Sequence, residues 1–446
     1  MAKKKNVVKS AKGTTGALLV LMMAAGWAMA AYTVFLNTDA RKQEAMISSA
    51  RALTEDKLYI RAVAGFKEAL KTYNTDNNLA YEEELLAIYR EASMWEEYYA
   101  FIEQRILKGT AQIGEYKQLA QYYIDQESSA KAMGVLKTGM SLFQDPELNT
   151  MYESVCFEYS PVTTAYSQAL MPASDWYIPT YNGEAWGYIG KNGRTILEFT
   201  YEEATRFSGN YAVVKTGGVF TLIDKQGYWN AVDKNGLDQV TALVGKRMVG
   251  VKDGKARVYT NTFVPVSEEA FDQVCLNDNG LIAVEKEGRW AILDSEMKPV
   301  TDYIFTDMAV NCRGQVFGKG YAVAADESGY FLIDEKGKPC YGQRFSNARG
   351  MEGGYYAVSD GSGRWGFADE KGQVVIDCQY EDVYSFSNHL APVKYAGEWG
   401  YLNQSGAWAI EPEFDMAYPF YEGNSLVTDS LGNYRILSLK HYKLFN

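Results

Sequence analysis

Few residues in this sequence can do covalent or metal chemistry. There are two histidines, His389 and His441, and five cysteines, Cys156, Cys275, Cys312, Cys340 and Cys378, with no C-x-x-C pair. A histidine zinc cage, a Ser-His-Asp triad or a histidine relay needs more imidazoles, or closer ones. Odd in number and dispersed, the cysteines read as buried free thiols rather than a disulfide framework. The adjacent carboxylates Glu202-Glu203 and Glu381-Asp382 are of the type a glycoside hydrolase uses in pairs, but they border strand-like runs and read as solvated turn charge. Gly361-Ser-Gly363-Arg-Trp-Gly366 spells G-x-G-x-x-G. A dinucleotide site needs those letters between a strand and a helix N-terminus, whereas here they join two strand-like runs. Gly314-Gln-Val-Phe-Gly318-Lys319 is one residue short of a P-loop and runs into Gly320. Asn277-Asp-Asn-Gly280 lacks the alternating carboxylates and terminal Glu of a calcium loop. No catalytic, cofactor-binding or metal-binding residue is expected, no cofactor is implied, no ligand-binding residue is assigned, and the chain reads as a non-enzyme.

What remains is architecture. The 446 residues carry 44 basic and 56 acidic side chains, a net charge of −12 that argues against nucleic-acid binding. Residues 1–12 hold Lys3, Lys4, Lys5, Lys9 and Lys12 and no acid, and Gly13 to Thr38 hold no charge at all. Ala17–Leu36 reads ALLVLMMAAGWAMAAYTVFL, and twenty such residues as a helix span about 30 Å, a bilayer core. The expectation is a cytoplasmic basic tip over 1–12, a transmembrane signal-anchor helix over 13–38 and an extracytoplasmic remainder. A signal peptide cleaved near Ala28-Met29-Ala30 is the main competitor, and a buried core helix the other. The apolar run outlasts a signal core, through Tyr32, Val34, Phe35 and Leu36, which favours the anchor.

Residues 39–157 read as helical. Ala62-x-x-x-Phe66-x-x-Ala69-Leu70 is echoed by Tyr98-x-x-x-Ile102-x-x-Arg105-Ile106 and by Ala132-x-x-x-Leu136-x-x-Gly139-Met140, and Asp145-Pro146 stops the third unit. This segment resembles tetratricopeptide repeats, with Arg105 and Gly139 standing where the family has a small residue or Ala. The resemblance implies a concave surface for peptides or partner proteins; a plain helical stalk is the alternative.

After a linker over 158–174, residues 175–446 change to short Tyr/Val/Ile runs between glycine turns. Trp186-Gly-Tyr-Ile-Gly-Lys-Asn-Gly193, Trp365-Gly-Phe-Ala-Asp-Glu-Lys-Gly372 and Trp399-Gly-Tyr-Leu-Asn-Gln-Ser-Gly406 nearly overlay, and weaker copies begin at Phe220, Ala256, Trp290, Tyr330 and Tyr434. Successive starts step by 34, 36, 34, 40, 35, 34 and 35 residues, a repeat architecture. Each unit reads as three strands. The domain resembles the bacterial WG-repeat family, named for the Trp-Gly dipeptide, and the resemblance implies architecture rather than a reaction. Trp176–Tyr181 is placed like a third strand, Tyr434–Leu437 like a first, and His441–Phe445 like a second. Together they would complete an eighth unit, which favours a propeller-like closed ring over an open β-solenoid.

The chain is therefore expected to be a membrane-anchored, extracytoplasmic binding or scaffold protein of a bacterial cell envelope, with a protein or peptide partner. A cell-wall glycan bound by aromatic side chains is the alternative, and an extracytoplasmic glycoside hydrolase a remote one.

Overall fold

The computed structural model describes residues 14–164, 166, 168–169 and 176–445, and divides into a unit through Met151 and a unit from Tyr152. In the first unit, helix α1 (Thr14–Glu55) is followed by α2 (Tyr59–Thr72), α3 (Asn78–Glu91), α4 (Trp95–Lys108), α5 (Ile113–Asp125) and α6 (Ser129–Leu142), and α7 (Pro146–Cys156) begins. Ala62, Phe66 and Ala69 on α2, Ile102 on α4, and Ala132 and Leu136 on α6 are all fully buried, so the echoed positions are the packed face. The loops before α2, α4 and α6 carry Lys57, Ser93 and Glu127 in the left-handed region, the same turn repeated once per helix pair. Arg105, where a small residue was expected, is also buried, with Glu82, Glu83 and Glu115 at 3.7, 2.7 and 3.1 Å. Those carboxylates come from α3 and α5, so the guanidinium ties three helices together. Most side chains of the apolar run Ala17–Leu36, and all of residues 1–13, lie outside the described residues. Among the described residues no helix is long and apolar enough to cross a membrane.

The second unit is a ring of eight antiparallel sheets, an eight-bladed β-propeller. The second blade shows the plan: Glu203–Ala204 innermost, then Tyr211–Thr216, Val219–Asp224 and Trp229–Val232. Four strands make a unit where three were expected. The overlooked one is the two-residue inner strand, too short to show any periodicity of its own. The middle strands join through two-residue turns, Gly217-Gly218, Asp253-Gly254, Glu287-Gly288 and Ala396-Gly397, in which both residues have positive φ. That geometry matches the twist of the flanking strands. The next turn is held by an acceptor side chain. Asp224, Asp294, Asp334, Asp369, Asn403 and Asp429 each take two backbone N–H groups, two and four residues on, at 2.8–3.0 Å.

The Trp-Gly dipeptide has a backbone cause. Trp186 pairs with Tyr201, Trp365 with Tyr380 and Trp399 with Phe414, and the outer strand bulges beside each pair. The bulge lays its carbonyls over the glycine. A Cβ on Gly187, Gly366 or Gly400 would lie 2.9, 2.3 or 2.7 Å from the carbonyl oxygens of Leu197, Ile376 and Ile410. In the third to fifth blades the outer segment touches its neighbour only through isolated bridges, including Tyr259–Pro265, Leu293–Pro299 and Ile333–Pro339. Proline, which cannot donate to a ladder, marks these outer edges, and the dipeptide is absent from the same blades.

The ring is closed by its own ends. Tyr159–Thr163 pairs antiparallel with Tyr434–Leu439 as the outer strand of the eighth blade. Strand exchange between the ends was expected, but with other partners. Trp176–Tyr181 pairs instead with Trp186–Ile189 through Ile178–Tyr181 inside the first blade, and Tyr442–Phe445 is a helical turn. The closing strand falls in the stretch read from the sequence as a linker, because its five residues YSPVT show no alternation. Ile178 and Ile189 of the first blade pack with Leu426 and Ile436 of the eighth, so the seam is apolar as well as hydrogen-bonded.

Candidate functional site

In a four-stranded meander the first and third turns of every blade lie on one face of the ring, and the second turns and the links between blades lie on the other. The inner strands line the axis between them. In the fifth blade the first connection is longer: eleven residues separate Ala309 from Tyr321, against six between Ala204 and Tyr211. This insert, Val310–Val316, lies across the axis. Arg313 donates to Glu352 of the sixth blade at 3.0 Å, stands 3.7 Å from Asp278 of the fourth and 5.6 Å from the Tyr421 ring centroid of the eighth. Its carbonyl accepts a hydrogen bond from Arg206 of the second blade. One residue thus meets four blades spaced evenly round the ring, which only a position at the centre allows. Asn277 of the fourth blade anchors the insert, its Oδ1 accepting from the amides of Val316 and Phe317 at 2.7 and 3.0 Å.

With one mouth crossed by the insert, the other is a funnel of about 610 Å³ against the fourth to seventh blades. Asn311 and Cys312 form its floor; Gln273, Asp307, Asn347, Arg349 and Tyr384 are among its walls. Tyr330 donates to Asp307 at 2.5 Å, and burial, then that carboxylate, push the phenol up to about 12. Burial also pushes the Cys275 thiol up to about 11 and Cys312 to about 12, so both stay protonated at neutral pH, unsuited to nucleophilic attack. Arg349 bonds Asp382 at 2.6 Å and lies 4.9 Å from the Trp365 ring and 5.2 Å from that of Tyr384. Tyr384 in turn stacks on the buried Trp399 and on Tyr418 at 5.4 and 6.3 Å, so a guanidinium and aromatic rings, of which Trp365, Tyr384 and Tyr418 are half-buried, run in a ladder from the sixth to the eighth blade.

The remaining sequence candidates have structural partners. Glu202 accepts from the Gly218 amide at 3.0 Å, Glu203 pairs with Lys215 at 2.9 Å and Glu381 stands 3.8 Å from Arg364. Asp238 and Asp272 repeat the Glu202 role on Asp253 and Glu287 at 2.8 and 2.9 Å, so these acids secure the second turn of the second, third and fourth blades. His389 occupies a turn tip at positive φ, and His441 lies 3.4 Å from Glu158. Among the described residues no cluster of three or more His, Cys, Asp or Glu is placed to hold a metal. Gly361–Gly363 is a turn between strands. Of the other two rejected motifs, Asn277–Gly280 supplies the anchor of the insert, and Gly314–Lys319 holds its last three residues and the short strand Phe317–Gly318 that follows. Sequence reasoning missed them as a site; the signal was the single 40-residue step, from Trp290 to Tyr330.

No curated protein matches the sequence. Among solved structures, Kluyveromyces lactis Hsv2p is similar at 10% identity over 55% of this chain and 92% of that one, with a TM-score of 0.33. YCF48 bound to D1 peptide gives 10% identity over 63% and 96%, TM-score 0.33, and the AfRom2 CNH domain 8% over 64% and 98%, TM-score 0.37. At the level of sequence, residues 186–220, 365–399 and 399–428, which hold the three Trp-Gly bulges, match the WG containing repeat.

Proposed function

We propose that this chain is a membrane-anchored, extracytoplasmic binding or scaffold protein of a bacterial envelope, and that its propeller engages a protein or peptide partner at the funnel. The observation that carries the reading is the funnel itself, floored by a dedicated insert and walled by amide, hydroxyl, aromatic and guanidinium groups. Such side chains suit the alternating donors and acceptors of an extended peptide. The carboxylates that sequence alone offers for hydrolysis are engaged in turns and ion pairs, which supports binding over turnover. The anchor rests on the lysine-flanked apolar run of residues 13–38.

The test is capture from envelope extract by the full chain, with and without Gln273→Trp, which would obstruct the funnel from an exposed position. A protein retained by the wild type and lost with the variant supports the reading; identical capture by both contradicts it. The aromatic ladder beside Arg349 favours a second reading, a wall glycan stacked on Tyr384. Retention on purified wall polysaccharide, abolished by Tyr384→Ala, would establish that reading in place of the first.

A further inference from the structure

On the opposite face of the insert lies a separate small cavity, and its chemistry differs from that of the funnel. About 90 Å³ in volume, it is lined by Arg206, Ser208, Asp278, Arg313, Gln315 and Tyr421, among others. Arg206 is half-buried, yet its one hydrogen bond goes to a neutral carbonyl, and among the described residues it has no carboxylate within ion-pair distance. Burial accordingly lowers its affinity for its proton below the ordinary arginine value. Arg313 has Glu352 and the more distant Asp278, but its Nε is buried without an acceptor. Gln315, on the cavity wall, is only 6% exposed.

Buried donors left unpaired cost free energy, and a half-buried guanidinium without a counter-ion costs more. Here two guanidinium groups and the Gln315 amide converge on one small space from the second and fifth blades, with Tyr421 of the eighth beside them. Arg206 lacks an acceptor carrying negative charge, whereas Arg313 has Glu352 and, on the cavity wall, Asp278. The volume admits a single tetrahedral oxyanion and excludes a sugar or a peptide segment. Donors arriving from several blades surround such an ion, where a planar carboxylate would be met from two sides only. We infer that this cavity is a binding site for one free tetrahedral oxyanion, phosphate or sulfate, held by Arg206, Arg313 and Gln315 at the ring axis. The bound ion would supply the charge that Arg206 lacks and pin the insert across the ring.

The test uses the full chain in detergent. Thermal unfolding is followed as sodium phosphate or sodium sulfate replaces chloride at constant ionic strength, with acetate as the planar comparison. A saturable rise of the midpoint with phosphate or sulfate, and none with acetate, is expected. Arg206→Met should abolish the rise or weaken the apparent affinity at least about tenfold, the scale of one charge-assisted hydrogen bond. Gln315→Glu, which places a carboxylate against the ion without emptying the cavity, should do the same and decides the matter if Arg206→Met does not fold. Broadening of the phosphorus resonance of inorganic phosphate by the wild type, absent with Gln315→Glu, is the direct readout. Equal midpoints in phosphate, sulfate and chloride, an equal rise with acetate, or an unchanged response in Gln315→Glu would each overturn the assignment.

Discussion

At the scale of single residues, the most repetitive letters answer to backbone geometry rather than to ligands. Trp399 is 3% exposed and Trp365 only partly buried, with Arg349 over its ring. Trp399→Ala should therefore cost about 3–5 kcal/mol, and Trp365→Ala less than about 3 kcal/mol, in denaturant unfolding of the propeller. Gly366→Ala, whose new Cβ would meet a carbonyl oxygen, should cost about 1–3 kcal/mol. Gly363→Asn, at positive φ with open space around it, should be close to neutral. In the helical unit, Arg105→Met removes the cation from three carboxylates and should cost about 3–5 kcal/mol. Burial already raises the Glu115 carboxyl above its ordinary value. An acid whose folded-state value is raised contributes stability below its unfolded value and loses it as pH rises through the folded one. The variant should thus be more stable at pH 5 than at pH 7, and helical melting by circular dichroism at the two values checks this. A pH-independent midpoint would show that the carboxylates are not electrostatically coupled to Arg105.

At the scale of elements, legibility followed length. The strands that hold Trp186, Trp365 and Trp399 could be read because alternation and the 34- to 36-residue step act together. The inner strands Glu203–Ala204 and Asp382–Val383 could not, since two residues have no period and their positions are set by the neighbouring strand. The insert was visible only as an irregular step, because what it does depends on turns contributed by distant blades. Its removal gives a prediction. Replacing Asn311–Gln315 by a two-residue turn should leave the propeller folded, since the fifth blade keeps Tyr321–Asp326 paired with Gly329–Asp334. Solvent should then reach Tyr384 from both faces, and partner capture at the funnel should fall. A variant that fails to fold would mean that the insert carries the ring rather than spanning it.

At the scale of the whole molecule, a closed ring explains why the strand at Tyr159–Thr163 is present at all: without it, Tyr434–Leu439 would be an open edge, a template for aggregation. The topology proposed for the anchor predicts that protease added to intact cells degrades everything beyond about Asp39 while the lysine tip survives; full protection of the propeller would contradict it. The claim on which the rest depends is closure, and one cross-link measures it. Thr163 and Arg435 are directly opposed in the closing ladder. The Thr164 amide bonds the Tyr434 carbonyl at 2.9 Å, which makes Thr163 and Arg435 a non-hydrogen-bonded pair, the closer kind. Thr163→Cys with Arg435→Cys should form a disulfide on mild oxidation and raise the unfolding free energy by up to about 5 kcal/mol, since it closes a loop of nearly the whole ring. Failure to form it in the native protein, or formation with a lowered unfolding midpoint, would contradict a propeller closed by its own two ends.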